Sequence, residues 1–498
     1  MVAAHISQAA DPGLSAMLLA DTIPTTAMFD FHRVSTEAAN DQRLRKAVRS
    51  VTLHYCDARR HRLQELPDSS ALRGLAKQIR QHTLDHLDYY LEQLVAKVEQ
   101  AGGQVHFATD AAEAQRIVLD IASQTNCRHV VKSKSTVSEE IGLTAALLQA
   151  GLDVVETDLG RFIGQISHDR PGHPQASVIH KDQASIAQTL AEYLKVPPTD
   201  DPQKLGMQVR THLRDKFRQA DMGITGANFL IAETGQVCLL ANDGNPRQCL
   251  TPRVLVTVTG IEKVVPRLAD LSVMLKLLAR SATGQTMAVY TSLFGGIRKA
   301  PQQDGPEEFH LVLLDNGRSR ILDSGYREVL QCIHCGACVN TCPVYRSIGG
   351  QAYGHAYVGP IGAILAPLLD GLEQHTDLPY ASTLCGACTN ACPVKINIPK
   401  HLMNLRRDIV ARRLDSRLTQ KACQSWMRLI SDGALSRIAN VLRNWRPRRR
   451  TQETEWIPEG DGLLANWTQV RDLPAPTHET FHHLWLRRRS DTKGAHHD

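Results

Sequence analysis

The chain has 498 residues, 42% of them hydrophobic, and a formal net charge of +6, which predicts two or more globular domains. No apolar stretch reaches 18 residues, so no membrane span is expected, and the N-terminus lacks the basic and apolar regions of a secretory signal. Aromatic residues make up only 5%, too few for the stacking surfaces of a nucleic-acid binder.

Residues 1–25 read as loosely attached and residues 28–65 as polar, with a helix from about Asp41 to Leu63; together they form an N-terminal arm over 1–65. Leu72, Leu75, Ile79, Leu87, Leu91, Leu94 and Val98 recur at three- and four-residue spacing and predict one amphipathic helix of about thirty residues, stopped by Gly102-Gly103. Strands then alternate with helices: Val105–Phe107, a helix capped by Thr109-Asp110, His129–Val131, a helix over Ser138–Gln149, and Asp153–Glu156. That β-α-β-α-β order predicts a mainly parallel sheet covered by helices, an α/β domain over 66–304. Phe229–Ala232 and Gln236–Leu240 flank Glu233-Thr-Gly235 as a hairpin, and Val254–Val258 is a later strand.

From about 305 the pattern changes. Cys332-Ile-His-Cys335-Gly-Ala-Cys338-Val-Asn-Thr-Cys342-Pro343 is C-x2-C-x2-C-x3-C-P, and Cys385-Gly-Ala-Cys388-Thr-Asn-Ala-Cys392-Pro393 is C-x2-C-x3-C-P. A cubane needs thiolates from several directions at short range; a loop with a cysteine at every third position wraps three around it, and in two-cluster proteins the fourth cysteine of each run ligates the other cluster. This assigns Cys332, Cys335, Cys338 and Cys392 to a first [4Fe-4S] cluster, and Cys342, Cys385 and Cys388 to a second. Structural zinc takes separated C-x2-C pairs instead, and a disulfide framework belongs to small secreted chains. The second set is one ligand short, because position 382 is Ser382. A [3Fe-4S] cluster, a [4Fe-4S] cluster with a non-cysteine or external ligand such as Ser382, and ligation by Cys423 all stay open. Cys342 and Cys385 are 43 positions apart, with a helical insert over Ile361–Leu372, so the two-cluster module of 305–410 is expected to be mostly helical.

Residues 401–450 hold thirteen Arg and Lys against three Asp. Arg406, Arg407, Arg412, Arg413 and Arg417 fall on an expected helix, and Arg446, Arg448, Arg449 and Arg450 surround Pro447. All five tryptophans, Trp426, Trp445, Trp456, Trp467 and Trp485, lie in the last 75 residues. Residues 401–450 fit a solvated face, or an acidic partner or anionic membrane surface, and 411–498 reads as a basic, Trp-containing C-terminal region. Cluster assembly and reduced thiols suit the cytoplasm, with peripheral attachment to the inner face of the membrane as an option.

The cluster runs, Val130-Val-Lys-Ser-Lys-Ser-Thr-Val-Ser-Glu-Glu-Ile141 and Ile224-Thr-Gly-Ala-Asn-Phe-Leu-Ile-Ala-Glu-Thr-Gly235 together resemble the lactate-utilisation iron–sulfur protein B family. Arg80–Leu91, Glu156–Gly160 and Gly260–Pro266 are similar as well. The resemblance implies an N-terminal LUD-type α/β domain of the sugar-isomerase/CoA-transferase-like (NagB/RpiA/CoA-transferase-like) class, followed by an alpha-helical ferredoxin module with two Fe-S clusters. It also implies electron transfer in the oxidation of L-lactate to pyruvate, together with other subunits of the same system. The family's second run shows the same three cysteines, so Ser382 is no departure from it.

In the first domain Lys132, Ser133, Lys134, Ser135 and Thr136 link a strand to a helix, a junction that suits a carboxylate or phosphate or simply caps the helix. Thr225–Asn228 and Asn242–Asn245 are polar turns that could line a pocket. Glu233 is similar in setting to the glutamate nucleophile of CoA transferases, the basis of an alternative reading as a CoA-transferase-like or isomerase-like enzyme with structural clusters; a hairpin-turn role is the plainer account. His168, His173 and His180 share no single helix face that would hold a metal. Cys56, Cys127, Cys238 and Cys249 read as ordinary thiols. No G-x-G-x-x-G follows a strand and no flavin signature is visible, so the group that accepts an electron pair from lactate is left to a partner or an unrecognised site.

Overall fold

The computed structural model describes residues 29–299, 301, 304–415 and 417–431, with short pieces at 456–457, 473–474, 481 and 484–488. The chain forms two units, Met1–Arg412 and Arg413–Asp498. Residues 1–25, Trp445, Trp467 and Arg446–Arg450 lie outside the described residues.

Ten strands organise the first unit: β1 Gln104–Ala108, β2 His129–Lys132, β3 Asp153–Glu156, β4 Met222–Thr225, β5 Phe229–Ile231, β6 Gln236–Ala241, β7 Val254–Gly260, β8 Val264–Val265, β9 Tyr290–Phe294 and β10 Glu308–Leu314. Six of them make a sheet in the order β1-β10-β7-β4-β2-β3, parallel throughout. Burial on both faces explains why β7 and β10 are nearly continuous apolar runs. One face packs Ala114, Ile117, Val118 and Ile121 of helix Ala111–Gln124 against Val130, Val256 and Val312. Leu94 and Val98 of helix Leu87–Gln100 cover Leu255, Phe309 and Leu311 on the other. The expected hairpin is present as the antiparallel pair β5–β6, within a separate four-stranded sheet, β8-β5-β6-β9.

Three expectations change. Strand β10 begins at Glu308, beyond the expected limit at 304, and sits inside the parallel sheet, between β1 and β7. The long helix over 72–98 is two helices, Ser69–Asp85 and Leu87–Gln100, because His86 leaves helical geometry (φ −129°, ψ 38°). The break lets the first helix face the cysteine-bearing segment while the second covers the sheet. Finally, residues 31–64 are not a free arm: helix Gln42–Gln64 packs against the cysteine-run helices Ala337–Thr341 and Pro343–Ile348.

Arg80 joins the parts. It is fully buried, and its guanidinium donates to the carbonyls of Glu262 (2.5 Å), Val264 (2.7 Å), Leu330 (3.0 Å) and Gln331 (3.3 Å). One planar fork thus ties the first helix to the end of the sheet and to the residues just before Cys332. Lysine offers a single point of donation and cannot replace that fork. Both Arg80→Met and Arg80→Lys should lower unfolding stability, the former more, since each buried carbonyl left without a donor costs about 1–3 kcal/mol, measured as the shift in urea midpoint under anaerobic conditions.

Candidate iron–sulfur site at the carboxyl edge of the sheet

The first cysteine run is an irregular loop followed by a short helix, Ala337–Thr341. Its loop conformation depends on two left-handed residues, His334 (φ 53°) and Gly336 (φ 77°). Cys332, Cys335 and Cys338 line one cavity of about 50 Å³, and Cys392 from the second run lines it too. Cys335, Cys338 and Cys392 are buried and Cys332 is partly so. Burial, then repulsion from neighbouring thiolates, pushes Cys332 up to about 11 and drives Cys338 up as well. Protonated in a shared pocket, such thiols release protons when they bind a cation. Of the remaining cysteines of the runs, Cys342 and Cys388 are raised, by burial first and with added repulsion from neighbouring thiolates, while Cys385 is lowered, mainly by a backbone hydrogen bond from Ala387. Cys385 is exposed, whereas Cys342 and Cys388 are buried.

This donor set fits iron–sulfur cubanes. The pooled thiols come from two runs, as the crossed assignment requires. Peptide N–H groups point at sulfur: His334 N–H at Cys332 (3.4 Å), Tyr345 N–H at Cys342 (3.5 Å) and Ile396 N–H at Cys392 (3.4 Å). Cationic side chains offset the thiolates. Arg80 and Lys263 favour the charged form of Cys332, and Arg59 that of Cys335. Arg73 donates to the carbonyls of Asn390 (2.8 Å) and Cys392 (2.7 Å), and Arg59 to that of Ala391 (2.8 Å).

The cavity lies against the carboxyl edge of the parallel sheet, the edge at which open α/β sheets place ligands. Thr136, Arg161 and His173 line it alongside the cysteines. Lys134 donates to the Gln175 carbonyl (3.2 Å), and the Gln175 amide donates to the Cys335 carbonyl (3.0 Å). Buried His173 hydrogen-bonds Asn340 (2.8 Å); burial is the main cause that pulls its pKa down to about 4. The approach is close at Gly350, where a Cβ would stand 1.8 Å from the Gly172 carbonyl oxygen, so only glycine fits there.

Of the five residues suggested for anion binding, Lys132 is fully buried and paired with Glu156 at 2.6 Å, and Ser135 caps the following turn through Ser138 N–H. Thr136 lines the cysteine cavity, Lys134 is linked to it only through Gln175, and the buried Ser133 hydroxyl has no hydrogen-bond partner. Arg161, 2.6 Å from Glu139, was not singled out from sequence, although it opens the helix after β3. The turn residues are internal fasteners: Thr225 bonds Thr257 (2.9 Å), Asn228 accepts from Leu240 N–H (2.8 Å), and Asn245 donates to the Thr157 carbonyl (2.6 Å). Glu233 accepts from Leu268 N–H (2.9 Å), satisfying the first turn of helix Leu268–Ala282. Cys238 and Cys249 are pushed up to about 12 by burial, as ordinary core thiols are. In the basic region Arg406 donates to the carbonyls of Pro379 (2.9 Å) and Ser382 (3.1 Å), and Arg407 pairs with Asp408.

Sequence reasoning also missed a buried charge network beside Cys332. Arg318 lies 2.7 Å from both Glu262 and Glu140, with all three side chains no more than 3% exposed. Tyr357 donates to Glu140 (2.7 Å), and its ring is 5.2 Å from that of His334. Burial alone would raise Glu262, but Arg318 and Lys263 outweigh it and hold the carboxyl at about 2. Arg-Ser-Arg at 318–320 carries no periodic signal; only its position after β10 could have drawn notice.

Residues 91–314 match the LUD domain family, and residues 328–396 match the 4Fe-4S dicluster domain family. The chain is 43% identical to lactate utilization protein B of Bacillus velezensis, over 94% of this chain and 98% of that one. It is equally identical to the same-named protein of Bacillus subtilis, over 90% and 94%. The chain belongs to the lactate utilization protein B family. It is also 40% identical to an uncharacterized electron transport protein of Escherichia coli K12, over 94% of this chain and 98% of that one. Among the described residues no helix is long and apolar enough to cross a membrane.

Breaking a buried ion pair costs more than replacing it whole. Glu262→Gln and Arg318→Met should each lose about 3–5 kcal/mol, and the double variant less than the sum of the two. Urea unfolding of the four proteins in a double-mutant cycle measures the coupling.

Proposed function

We propose that the chain is the iron–sulfur electron-transfer subunit of a system that oxidises L-lactate to pyruvate. The observation that carries this reading is the unequal placement of the two thiol sets. One is buried against the carboxyl edge of an α/β sheet, and the other reaches the surface through Cys385. Family membership supports the reading, through relatives named for lactate utilization and one named for electron transport.

Cys332, Cys335, Cys338 and Cys392 would hold the first cluster, and Cys342, Cys385 and Cys388 the second. When bound, such clusters supply one-electron transfer. Lactate oxidation releases two electrons and two protons, so the pair must be divided before it enters the relay, a step we assign to a partner protein. Arg80 and Lys263 favour negative charge at Cys332, and the apolar side chains of Ile333, Val339 and Ile361 line the buried set. The α/β domain would present a small carboxylate or a partner surface through Lys134, Thr136 and Arg161. The competing reading, a CoA-transferase-like enzyme, needs Glu233 as nucleophile. Its exposed carboxylate instead caps a helix.

Cys335→Ala should lose roughly half of the iron, about four atoms per chain, and lactate-dependent dye reduction by the assembled system should fall to background. Iron and sulfide analysis of anaerobically purified protein, followed by that assay, tests both. A wild-type rate with the first site empty removes the relay role. In limited air, the signal of the surface-open second site should bleach before that of the buried first site, followed by EPR of dithionite-reduced samples over time.

A further inference from the structure

The two cysteine runs repeat one another in backbone as well as in sequence, at an offset of fifty positions. His334 and Leu384 are both left-handed, at φ 53° and 55°. Gly336 (φ 77°, ψ 3°) and Gly386 (φ 80°, ψ −5°) each open a five-residue helix, Ala337–Thr341 and Ala387–Ala391. The helices end at Cys342 (φ −78°, ψ 121°) and Cys392 (φ −64°, ψ 120°). In this repeat Ser382 is the counterpart of Cys332.

The side-chain bonding repeats too. The sulfur of Cys332 accepts the N–H of His334, two residues on, at 3.4 Å. The hydroxyl oxygen of Ser382 accepts the N–H of Leu384, also two residues on, at 3.1 Å. Leucine has no side-chain reason to favour a left-handed backbone, which costs it about 1–2 kcal/mol. That cost is met by a loop held firmly from outside: Arg406 donates to the carbonyls of Pro379 and Ser382 and stacks on the Tyr380 ring at 5.0 Å.

We infer that Ser382 is the fourth ligand of the second cluster, its side-chain oxygen taking the role on Cys342, Cys385 and Cys388 that the Cys332 sulfur takes in the first set. The inference rests on the two-cluster reading above. On binding, the Ser382 O–H bond breaks, an oxygen–iron bond forms and the proton leaves to solvent at this surface-open site; no electron is exchanged. The second cluster is then a complete cubane with one hard oxygen ligand.

The test compares full-length wild type, S382A and S382C, purified and reconstituted anaerobically, by iron and sulfide counting and by EPR and Mössbauer spectroscopy of oxidised and reduced samples. Wild type should hold about eight irons, four per cubane. S382A should hold about seven, with a three-iron signal in the oxidised state that disappears on reduction. S382C should return to about eight, with the spectrum of an all-thiolate pair. If S382A loses the whole second cluster, ligation stands only where S382C restores it, and fails where it does not. Eight irons and an unchanged spectrum in S382A, or a three-iron centre already present in wild type, overturns the assignment of Ser382 while leaving two clusters in place. About four irons in wild type overturns the two-cluster reading itself.

Discussion

Cys392 reaches back to stand beside Cys332, Cys335 and Cys338, and most of the first unit is arranged around that crossing. The second run must be held against the first although a long helical insert separates them. Loop-closure entropy opposes this, and the thiols, buried together, repel one another as they ionise. The opposing forces are visible as fasteners. Arg73 and Arg59 reach from the N-terminal helices to the carbonyls of residues 390–392. Arg80 grips the carbonyls just before Cys332. Lys77 pairs with Glu328 (2.6 Å), which His401 also meets (2.8 Å). The N-terminal helices therefore act as a brace for the crossed cysteines.

The second consequence is electrostatic. A cubane on four thiolates brings net negative charge into a dry site, and buried charge is costly unless it is paired. Arg80, Lys263 and Arg59 act on the thiols directly. Arg318 does not; it is committed to Glu140 and Glu262, residues from two different carboxyl-edge loops of the sheet. The cluster segment supplies Tyr357 to the same network. Sheet edge and cysteine pocket are thus joined through one satisfied set of buried polar groups, an arrangement that tolerates little relative movement. A rigid seat keeps anything bound at the sheet edge at a fixed distance from the first thiol set.

Much of this was legible in the sequence, for reasons that differ by element. The cysteine spacing pointed to iron–sulfur chemistry because few chemistries need C-x2-C-x2-C-x3-C-P, and the 4Fe-4S dicluster match over 328–396 agrees with it; Cys392 lines the same cavity as the first run. Strands β2, β3 and β7 were readable from short apolar runs bounded by turns. β10 was misassigned because the position of Glu308–Leu314 between β1 and β7 is set by tertiary pairing, which local pattern does not report. The split at His86 was hidden because Leu87 continues the three- and four-residue apolar rhythm across the break. The roles of Arg80, Arg161 and Arg318 were invisible for a different reason: a lone arginine on a helix or loop reads as solvent-facing, and burial comes only from partners distant in sequence. Lys132 shows the converse, since its apparent availability beside β2 ended once Glu156 was placed on the neighbouring strand.

On the proposed relay reading, the unequal burial of the two thiol sets distinguishes an inner site from an outer one. The first set is enclosed by Ile333, Val339 and Ile361 and reached by Arg80 and Lys263. The second set is opened to solvent by Cys385. Ligand type sharpens the asymmetry. The first set is all cysteine, while under the proposed ligation Ser382 would give the second a harder donor on the side held by Arg406. An oxygen donor stabilises the oxidised state of iron relative to thiolate, and solvent access favours the more highly charged reduced cluster. Both effects would act on the outer site, in opposite senses, and neither acts on the buried one. On that ligation, residue 382 is the position at which a one-atom change, oxygen to sulfur, would shift the potential of the outer site relative to the buried one.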